Sequence, residues 1–196
     1  MDFIEHIDVD SKKIAEDLKA KKEKQLLSLS MGSDLHEAWR AGRKKEDGTF
    51  EPRMKKTKDQ AYIDAHHGNN GVDIANLSFA ELPSDWQYEN LEAAKVAIEQ
   101  VYDMVKEGKE ITDEMIEEMS AKVHEEWLKR NEWVFNPEYG DPNLAKPYAE
   151  LVESEKAKDR VQIHQAIEKT RSLQRGDINI ESLEAEFGNQ PSKEGK

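Results

Sequence analysis

The sequence of 196 residues contains no cysteine, which excludes disulfide bridges and zinc sites built on thiolates. Glycine and proline are sparse, at 10 and 6 residues, so few positions force a turn or interrupt a helix. No apolar run approaches the roughly 20 residues that a membrane span requires. The first ten residues are acidic and lack the basic-then-apolar order of a signal peptide. These absences lead us to expect a soluble, cytoplasmic protein.

Charge is the abundant feature. Charged side chains make up 36% of the chain and the mean hydropathy is −0.92, which favours a polar helical protein with a modest core. Residues 61–128 hold 16 acidic against 4 basic side chains, within a net charge of −13. This surplus argues against a nucleic-acid-binding face. Residues 35–60 hold 8 basic against 5 acidic side chains, and this basic island leaves room for a pocket that binds one small anion.

Apolar periodicity predicts a mainly α-helical protein, with more than about half of its residues in helices. We expect an N-terminal helix over residues 11–30, with Ser11 as its N-cap, and a short second helix from His36. Residues 44–78 are expected to be irregular, apart from a short helix and a strand pairing near Gly48. A second strand pairing is expected near Tyr139.

The second half of the chain predicts longer helices. Residues 88–107 form the first of them, and Gly108 ends it. Thr112 is the expected N-cap of the next helix, which reaches the second Trp-containing motif described below. The chain then predicts a helix over 154–175 that ends at Gly176, a short helix over 179–187 and a disordered tail.

The motif His-Glu-x-Trp occurs twice, as His36–Trp39 and His124–Trp127. After each copy come a loop, an aromatic-Ala-Glu-Leu stretch, an acidic-polar pair and a long helix, namely Phe79–Leu82 with Glu89-Asn90 and Tyr148–Leu151 with Asp159-Arg160. The loops differ in length, and loops tolerate insertions. The repeated order predicts the duplication of one helix-loop-helix unit. The predicted divisions are an N-terminal helical segment, a first unit, a second unit, and a short helix with a tail, at 1–34, 35–108, 109–176 and 177–196.

Residues Val123 to Arg160, "VHEEWLKRNEWVFNPEYGDPNLAKPYAELVESEKAKDR", resemble the ryanodine receptor repeat, which occurs in bacterial and phage proteins as well as in animal channels. The first unit resembles it in degenerate form. Neither copy has the Gly-Trp of the family, and the first unit has Glu89-Asn90 where the family has an acidic-Arg pair. Any role of that arginine therefore passes to Arg160 only.

The resemblance implies two helix-loop-helix units related by approximate twofold symmetry, with long irregular loops, preceded by an N-terminal helix. It also implies non-enzymatic ligand binding, with nucleotides or other phosphorylated small molecules as the favoured ligands. We expect the ligand to lie between the two units, in a cleft between their Trp-bearing loops. Such a ligand needs aromatic rings to stack on and cations to neutralise phosphate. The candidate ligand-binding residues, from both units, are Trp39, Arg40, Arg43, Phe50, Arg53, Lys55, Trp127, Arg130, Trp133, Tyr139, Tyr148 and Arg160.

Two other functions stay open. The acidic surplus of residues 61–128 suits a protein-interaction role, such as a phage or mobile-element inhibitor that mimics nucleic acid or docks on a basic protein. A hydrolase using His36 or His124 with nearby carboxylates is the third hypothesis. No catalytic motif, cofactor motif or metal-ligand spacing stands out, so we expect neither metal nor cofactor. A homo-oligomer is compatible with the sequence.

Structural roles are expected for several of the same side chains. Each motif histidine is predicted to form a hydrogen bond across to a loop, and Trp39 and Trp127 are predicted to be largely buried on helices. Arg160 is expected either to clamp loop carbonyls or the motif glutamate, or to contact a ligand. The clamp is the favoured alternative, because acidic-basic pairs at helix starts usually hold loops.

Overall fold

The computed structural model describes residues 2–188, with side chains from residue 10 onward. It is 69% helical, which confirms the predicted mainly α class. The regular elements are α1 (Asp2–Ala41), β1 (Met54–Lys56), α2 (Gln60–Ala65), β2 (Gly71–Asp73), α3 (Ser84–Lys106), α4 (Asp113–Arg130), α5 (Glu153–Arg175) and α6 (Ile180–Phe187). No helix in this described part has both the length and the hydrophobicity needed to cross a membrane.

The N-terminal region is one continuous helix, not two. α1 runs from Asp2 to Ala41, so Ser11 lies inside it and the predicted N-cap there is wrong. Residues 10–19 of α1 are exposed, and its buried side chains begin further along, at Glu23. Gly32 does not end the helix, because it lies where α1 and α3 cross. A Cβ there would be 3.3 Å from the carbonyl oxygen of Asn90.

The segment after α1 is better ordered than its sequence predicts. β1 and β2 form an antiparallel pair in which Lys55 faces Val72, and Lys44 bridges Phe50 as expected near Gly48. The short helix predicted near residues 58–65 is α2, capped by Asp59. The stretch around Tyr139 forms no strand within the described residues, because residues 137–139 form a turn in which the Asn136 side chain accepts from the backbone N–H groups of Glu138 and Tyr139.

The later helices agree with the sequence at their ends. The Thr112 hydroxyl accepts a hydrogen bond from the backbone N–H of Met115, as the predicted cap of α4. Gly176 ends α5 in the left-handed conformation at φ 82°, which favours glycine. Asn179 caps α6. The tail predicted to be disordered lies, beyond Gly188, outside the described residues.

Buried positions repeat between the two halves of the core. α3 and α5 have 23 residues each, and each begins two residues after its aromatic-Ala-Glu-Leu leucine. A shift of 69 residues, the separation of Phe79 from Tyr148, superimposes four of the six buried positions of α3 on the four of α5. These are Ala94, Ala97, Ile98 and Val101 on α3 and Ile163, Ala166, Ile167 and Thr170 on α5. A shift of 88 residues likewise places Met31 of α1 on Met119 of α4, both buried. In the structure we therefore extend the first unit to include α1 from Leu26 onward, so that it runs from Leu26 to the end of α3. The second unit runs from α4 through α5.

Contacts between the units are also reciprocal. Gln100 on α3 donates to the carbonyl of Met119 on α4. The residue corresponding to Gln100 is Lys169 on α5, and it donates to Ser30 on α1, beside Met31. Exchanging the units thus maps one contact closely onto the other, as an approximate twofold relationship requires.

Candidate functional site

Both motif histidines tie a helix to a loop in the same way. His36 Nε2 lies 2.7 Å from the carbonyl oxygen of Leu77, and His124 Nε2 lies 2.7 Å from that of Lys146. Each carbonyl belongs to the residue two positions before the aromatic of its unit. Because a carbonyl only accepts, Nε2 carries the proton in both rings. The predicted structural contact is confirmed, and the hydrolase hypothesis gains no support from two rings that are buried and bonded in this way.

Each motif tryptophan stacks on its own histidine. The ring centroids are 5.8 Å apart for His36 and Trp39 and 6.0 Å apart for His124 and Trp127. Trp127 is half-buried, but Trp39 is 38% exposed, so the prediction that it is largely buried is wrong. The Arg43 guanidinium lies over the Trp39 ring at 5.2 Å, and this contact covers part of the indole in place of core side chains.

Arg40 and Arg43 hold the first-unit loop through its backbone. Arg40 Nε donates to the carbonyl of Ala75 at 2.8 Å, and its guanidinium lies 4.3 Å over the Phe50 ring. Arg43 donates to the carbonyls of Glu51 and Pro52. These three predicted ligand residues therefore serve the loop itself, and much of the basic island's charge is committed to folding rather than to an anion.

Arg53 and Lys55 are different, because they form no ion pair within the described residues. Arg53 directly precedes β1 and Lys55 is its middle residue, and the Arg53 charge acts on the Lys55 ammonium. Burial lowers the pKa of Lys55, and the neighbouring Arg53 lowers it further. The Lys55 ammonium lies 5.7 Å over the ring of Trp86, whose indole N–H donates to the carbonyl of Lys56. The result is a pair of neighbouring cations that form no side-chain ion pair within the described residues, one of which, Lys55, lies beside an aromatic ring.

The first turns of α3 connect this cluster to the second unit. Trp86 and Glu89 are three residues apart and share a face of the helix. Glu89 accepts from Arg130 at 3.4 Å and from the Asn131 side chain at 3.3 Å, at the end of α4. Arg130 Nε is buried without a partner. Arg130 therefore joins the two units, and its guanidinium retains one unsatisfied donor.

A polar network joins α4 to α5 in the second unit. Arg160 donates to both carboxylate oxygens of Glu117 and also pairs with Glu153, while the Tyr148 hydroxyl donates to Glu117 at 2.9 Å. Hydrogen bonds from Arg160 hold the pKa of Glu117 below its usual value, against its partial burial. Arg160 is a clamp, but its partners are neither loop carbonyls nor the motif glutamate. Tyr148 and Arg160 are thus engaged within the fold.

Helix register corrects the sequence pairing of Glu89-Asn90 with Asp159-Arg160. The same 69-residue shift places Asn90 on Asp159 and Leu91 on Arg160. Asp159 Oδ2 lies 3.9 Å from His124 Nδ1, and burial raises the pKa of this carboxyl to about 7. The neutral Asn90 at the equivalent place avoids that buried charge.

Two of the second unit's candidate aromatics, Trp133 and Tyr139, occupy the loop that follows α4. Trp133 meets Trp127 edge-on, with centroids 6.4 Å apart, and its indole N–H donates to Asn131. Trp133 and Tyr139 are exposed, as is Phe135 between them. Trp133 connects through Asn131 to Glu89, whereas Tyr139 forms no hydrogen bond to the first unit within residues 10–188.

A groove of about 560 Å³ lies elsewhere, between α1, the end of α5 and the start of α6. Its apolar lining is formed by Leu18, Leu173, Ile178 and Ile180. Glu23 is the groove residue on α1 that lies nearest to Trp39, and it precedes Trp39 by 16 positions, or roughly 24 Å along the helix. This groove is therefore not the expected cleft between the Trp-bearing loops. Residues 2–188 contain no group of three acidic or histidine side chains placed to hold a metal ion.

Three residues that are central in the structure are absent from the candidates predicted from the sequence, namely Trp86, Glu89 as an inter-unit acceptor, and Glu117. A signal for Glu117 exists, because it precedes His124 by seven residues and so lies two helical turns away on the same face. Trp86 could have been found from its three-residue spacing to Glu89. No family model, curated protein or solved structure matches the chain.

Proposed function

We propose that the protein is a non-enzymatic ligand-binding protein that holds a nucleotide or another phosphorylated small molecule at Arg53, Lys55 and Trp86. The observation that carries this proposal is the unneutralised cation pair beside the indole. Phosphate oxygens accept hydrogen bonds from guanidinium and ammonium groups, and a phosphate between two like charges relieves their repulsion. The ligand therefore supplies the counter-charge that the described side chains do not.

The aromatic half of the ligand is held by Trp86. The Lys55 ammonium occupies one face of its ring in the ligand-free protein. A phosphate that draws this ammonium away frees the ring for a base to stack on. Glu89, on the same helical face, accepts a hydrogen bond from Arg130 of the second unit, which supports a site near the junction of the two units.

Calorimetric titration with mono-, di- and cyclic nucleotides tests the proposal, with tryptophan fluorescence as a second readout. We expect binding that is lost in Arg53→Ala and in Lys55→Ala. Lys45→Ala is the matched control, because it removes one exposed charge from the same basic island outside the cluster. The absence of heat at millimolar nucleotide, or equal losses in the control, would rule the function out. Inorganic phosphate that binds as tightly as nucleotide would remove the role given to Trp86.

The assignment of the two units as degenerate ryanodine receptor repeats is also a proposal. It is supported by the matching His36–Leu77 and His124–Lys146 contacts and by the common register of α3 and α5. The test is a superposition of residues 123–160 on an experimental structure of such a repeat. If the repeat's His-Glu-x-Trp histidine does not contact a loop carbonyl, the assignment is wrong.

A further inference from the structure

Besides the proposed ligand site, the loop between α4 and the turn Tyr148–Glu150 presents a group of exposed aromatics. Trp133, Phe135 and Tyr139 are 47%, 57% and 66% exposed. Together they present on the order of 300–400 Å² of aromatic surface to solvent, given the 150–250 Å² that each ring buries in a core. The largest exposed apolar patch of a monomeric protein covers about 300–600 Å² and is often an interaction site. We call residues 131–143 the aromatic loop.

The aromatic loop is held in one conformation by its backbone. The N–H of Gly140 donates to the carbonyl of Asn136 at 2.8 Å, and that of Asp141 donates to Val134 at 2.9 Å. The Val134 side chain is buried between its exposed neighbours Trp133 and Phe135 and anchors the loop. A Cβ at Gly140 would lie 2.3 Å from two carbonyl oxygens, so the close approach requires glycine. Rings on a preformed loop lose little entropy on binding.

Nothing in the described part of the chain covers these rings with a cation. In the first unit the corresponding loop has one aromatic, Phe50, and Arg40 lies over it. In the second unit Lys129 pairs with Glu126, and Arg130 pairs with Glu89. Lys129 and Arg130, the two cations that directly precede the aromatic loop in the sequence, are thus paired with carboxylates.

The charge of the aromatic loop identifies its occupant. Residues 131–143 contain Glu132, Glu138 and Asp141 and no lysine or arginine. Aromatic faces attract guanidinium and ammonium groups, and neighbouring carboxylates pair with them. We propose that the aromatic loop is a docking surface for an arginine- or lysine-rich segment of a partner protein. The surface is separate from the acidic stretch 61–128, where composition alone had suggested a basic partner.

Binding of an oligo-arginine peptide, followed by fluorescence anisotropy at physiological salt, tests the surface. Phe135→Ser/Tyr139→Ser is the informative variant, because both side chains are exposed and neither forms a hydrogen bond or a ring contact within residues 10–188. We expect its affinity to fall at least about tenfold, as for loss of central aromatic side chains in an interface. Tyr88→Ser, which removes an exposed tyrosine on α3, should leave the affinity unchanged.

General attraction of the peptide to an acidic protein gives a different result. In that case Phe135→Ser/Tyr139→Ser and Tyr88→Ser bind equally, and the proposal is overturned. It is also overturned if the parent protein self-associates in sedimentation experiments and the double variant does not, because the occupant is then a second copy. Nucleotide titration of the double variant should match the parent, which keeps this outcome distinguishable from failure of the proposed ligand site.

Discussion

Arg160 on α5 and Glu117 on α4 form a two-pronged ion pair that the first unit replaces entirely with apolar side chains. The 69-residue shift places Leu91 on Arg160, and the 88-residue shift places Leu29 on Glu117. The third residue of the network also differs between the units. Tyr148 donates its hydroxyl to Glu117, whereas Phe79 at the equivalent position has no hydroxyl. The Arg160–Glu117–Tyr148 junction of the second unit is therefore hydrogen-bonded, whereas the three equivalent positions of the first unit are apolar.

Arg160→Ala should lower the melting temperature of the ligand-free protein by a few degrees. The change leaves the carboxylates of Glu117 and Glu153 without their cation and the Tyr148 hydroxyl on an unneutralised acceptor. The triple variant Glu117→Leu/Tyr148→Phe/Arg160→Leu, which copies the first unit, should restore most of the loss. An unchanged ligand-free melt in Arg160→Ala would contradict the clamp.

His36→Ala and His124→Ala should each lower the free energy of unfolding by about 1–3 kcal/mol, because each leaves a loop carbonyl without its donor. Urea denaturation measures the effect. His164→Ala is the control, since this histidine is exposed on α5. If the control loses as much stability as the motif variants, the contact to the carbonyl is not the cause.

Asp159→Asn should make the protein more stable at pH 8, and the gain should shrink as the pH falls towards 5. Burial raises the pKa of Asp159 to about 7 from its usual 3.8, with a further rise from Glu155 and an opposing effect of Lys158. The folded state therefore holds a proton that the unfolded state has lost between these values, so this group's contribution to stability falls as pH rises through the window.

Other groups titrate nearby, so the parent and the variant must be compared at each pH. His124 faces Asp159 at 3.9 Å, and burial lowers the pKa of His36, which weakens the protein as the pH drops below about 6.5. The difference between the two unfolding curves isolates residue 159. A difference that is constant from pH 5 to 8 would mean that Asp159 does not titrate as inferred.

Arg43→Ala should speed proteolysis after Phe50 by a protease specific for aromatic residues. Arg43 donates to the carbonyls of Glu51 and Pro52, and its loss frees the segment that carries the cleavage site. Lys45→Ala removes an equal charge without removing these hydrogen bonds and should be cleaved at the parent's rate. Equal rates for all three proteins would show that Arg43 does not hold the loop.

Sequence alone predicted the elements whose signals are local. Caps such as Thr112 and Gly176 and the apolar spacing of α3 determine helix ends within a few residues. The continuity of α1 was not predictable in this way. Ser11 is a good N-cap by residue type, and a glycine such as Gly32 weakens the interior of a helix. The sequence does not show that the backbone of Asn90 passes so close to Gly32 that a side chain there would be crowded.

The site was predictable where the two copies could be compared. The shared spacing of His36 and His124 to their aromatics indicated a common contact to the loop. Charge counting could not show that Arg40 and Arg43 donate to backbone carbonyls while Arg53 lacks a partner, because that depends on where the loop folds back. The off-by-one pairing of Asn90 had the same origin, since letters were matched without the helix register.

The unbroken α1 would act mechanically as a lever if a force were applied to its exposed part. Its 40 residues form a rod roughly 60 Å long, fixed at Leu27 and Met31 in the core and at His36 near its end. Because residues 10–19 are exposed, a tilt of about 10° around the fixed part displaces residue 10 by roughly 5 Å. A load on the projecting arm is thereby delivered to the His36–Leu77 contact and to the loop that carries Arg53, whereas α4, which begins at its own cap, offers no such handle.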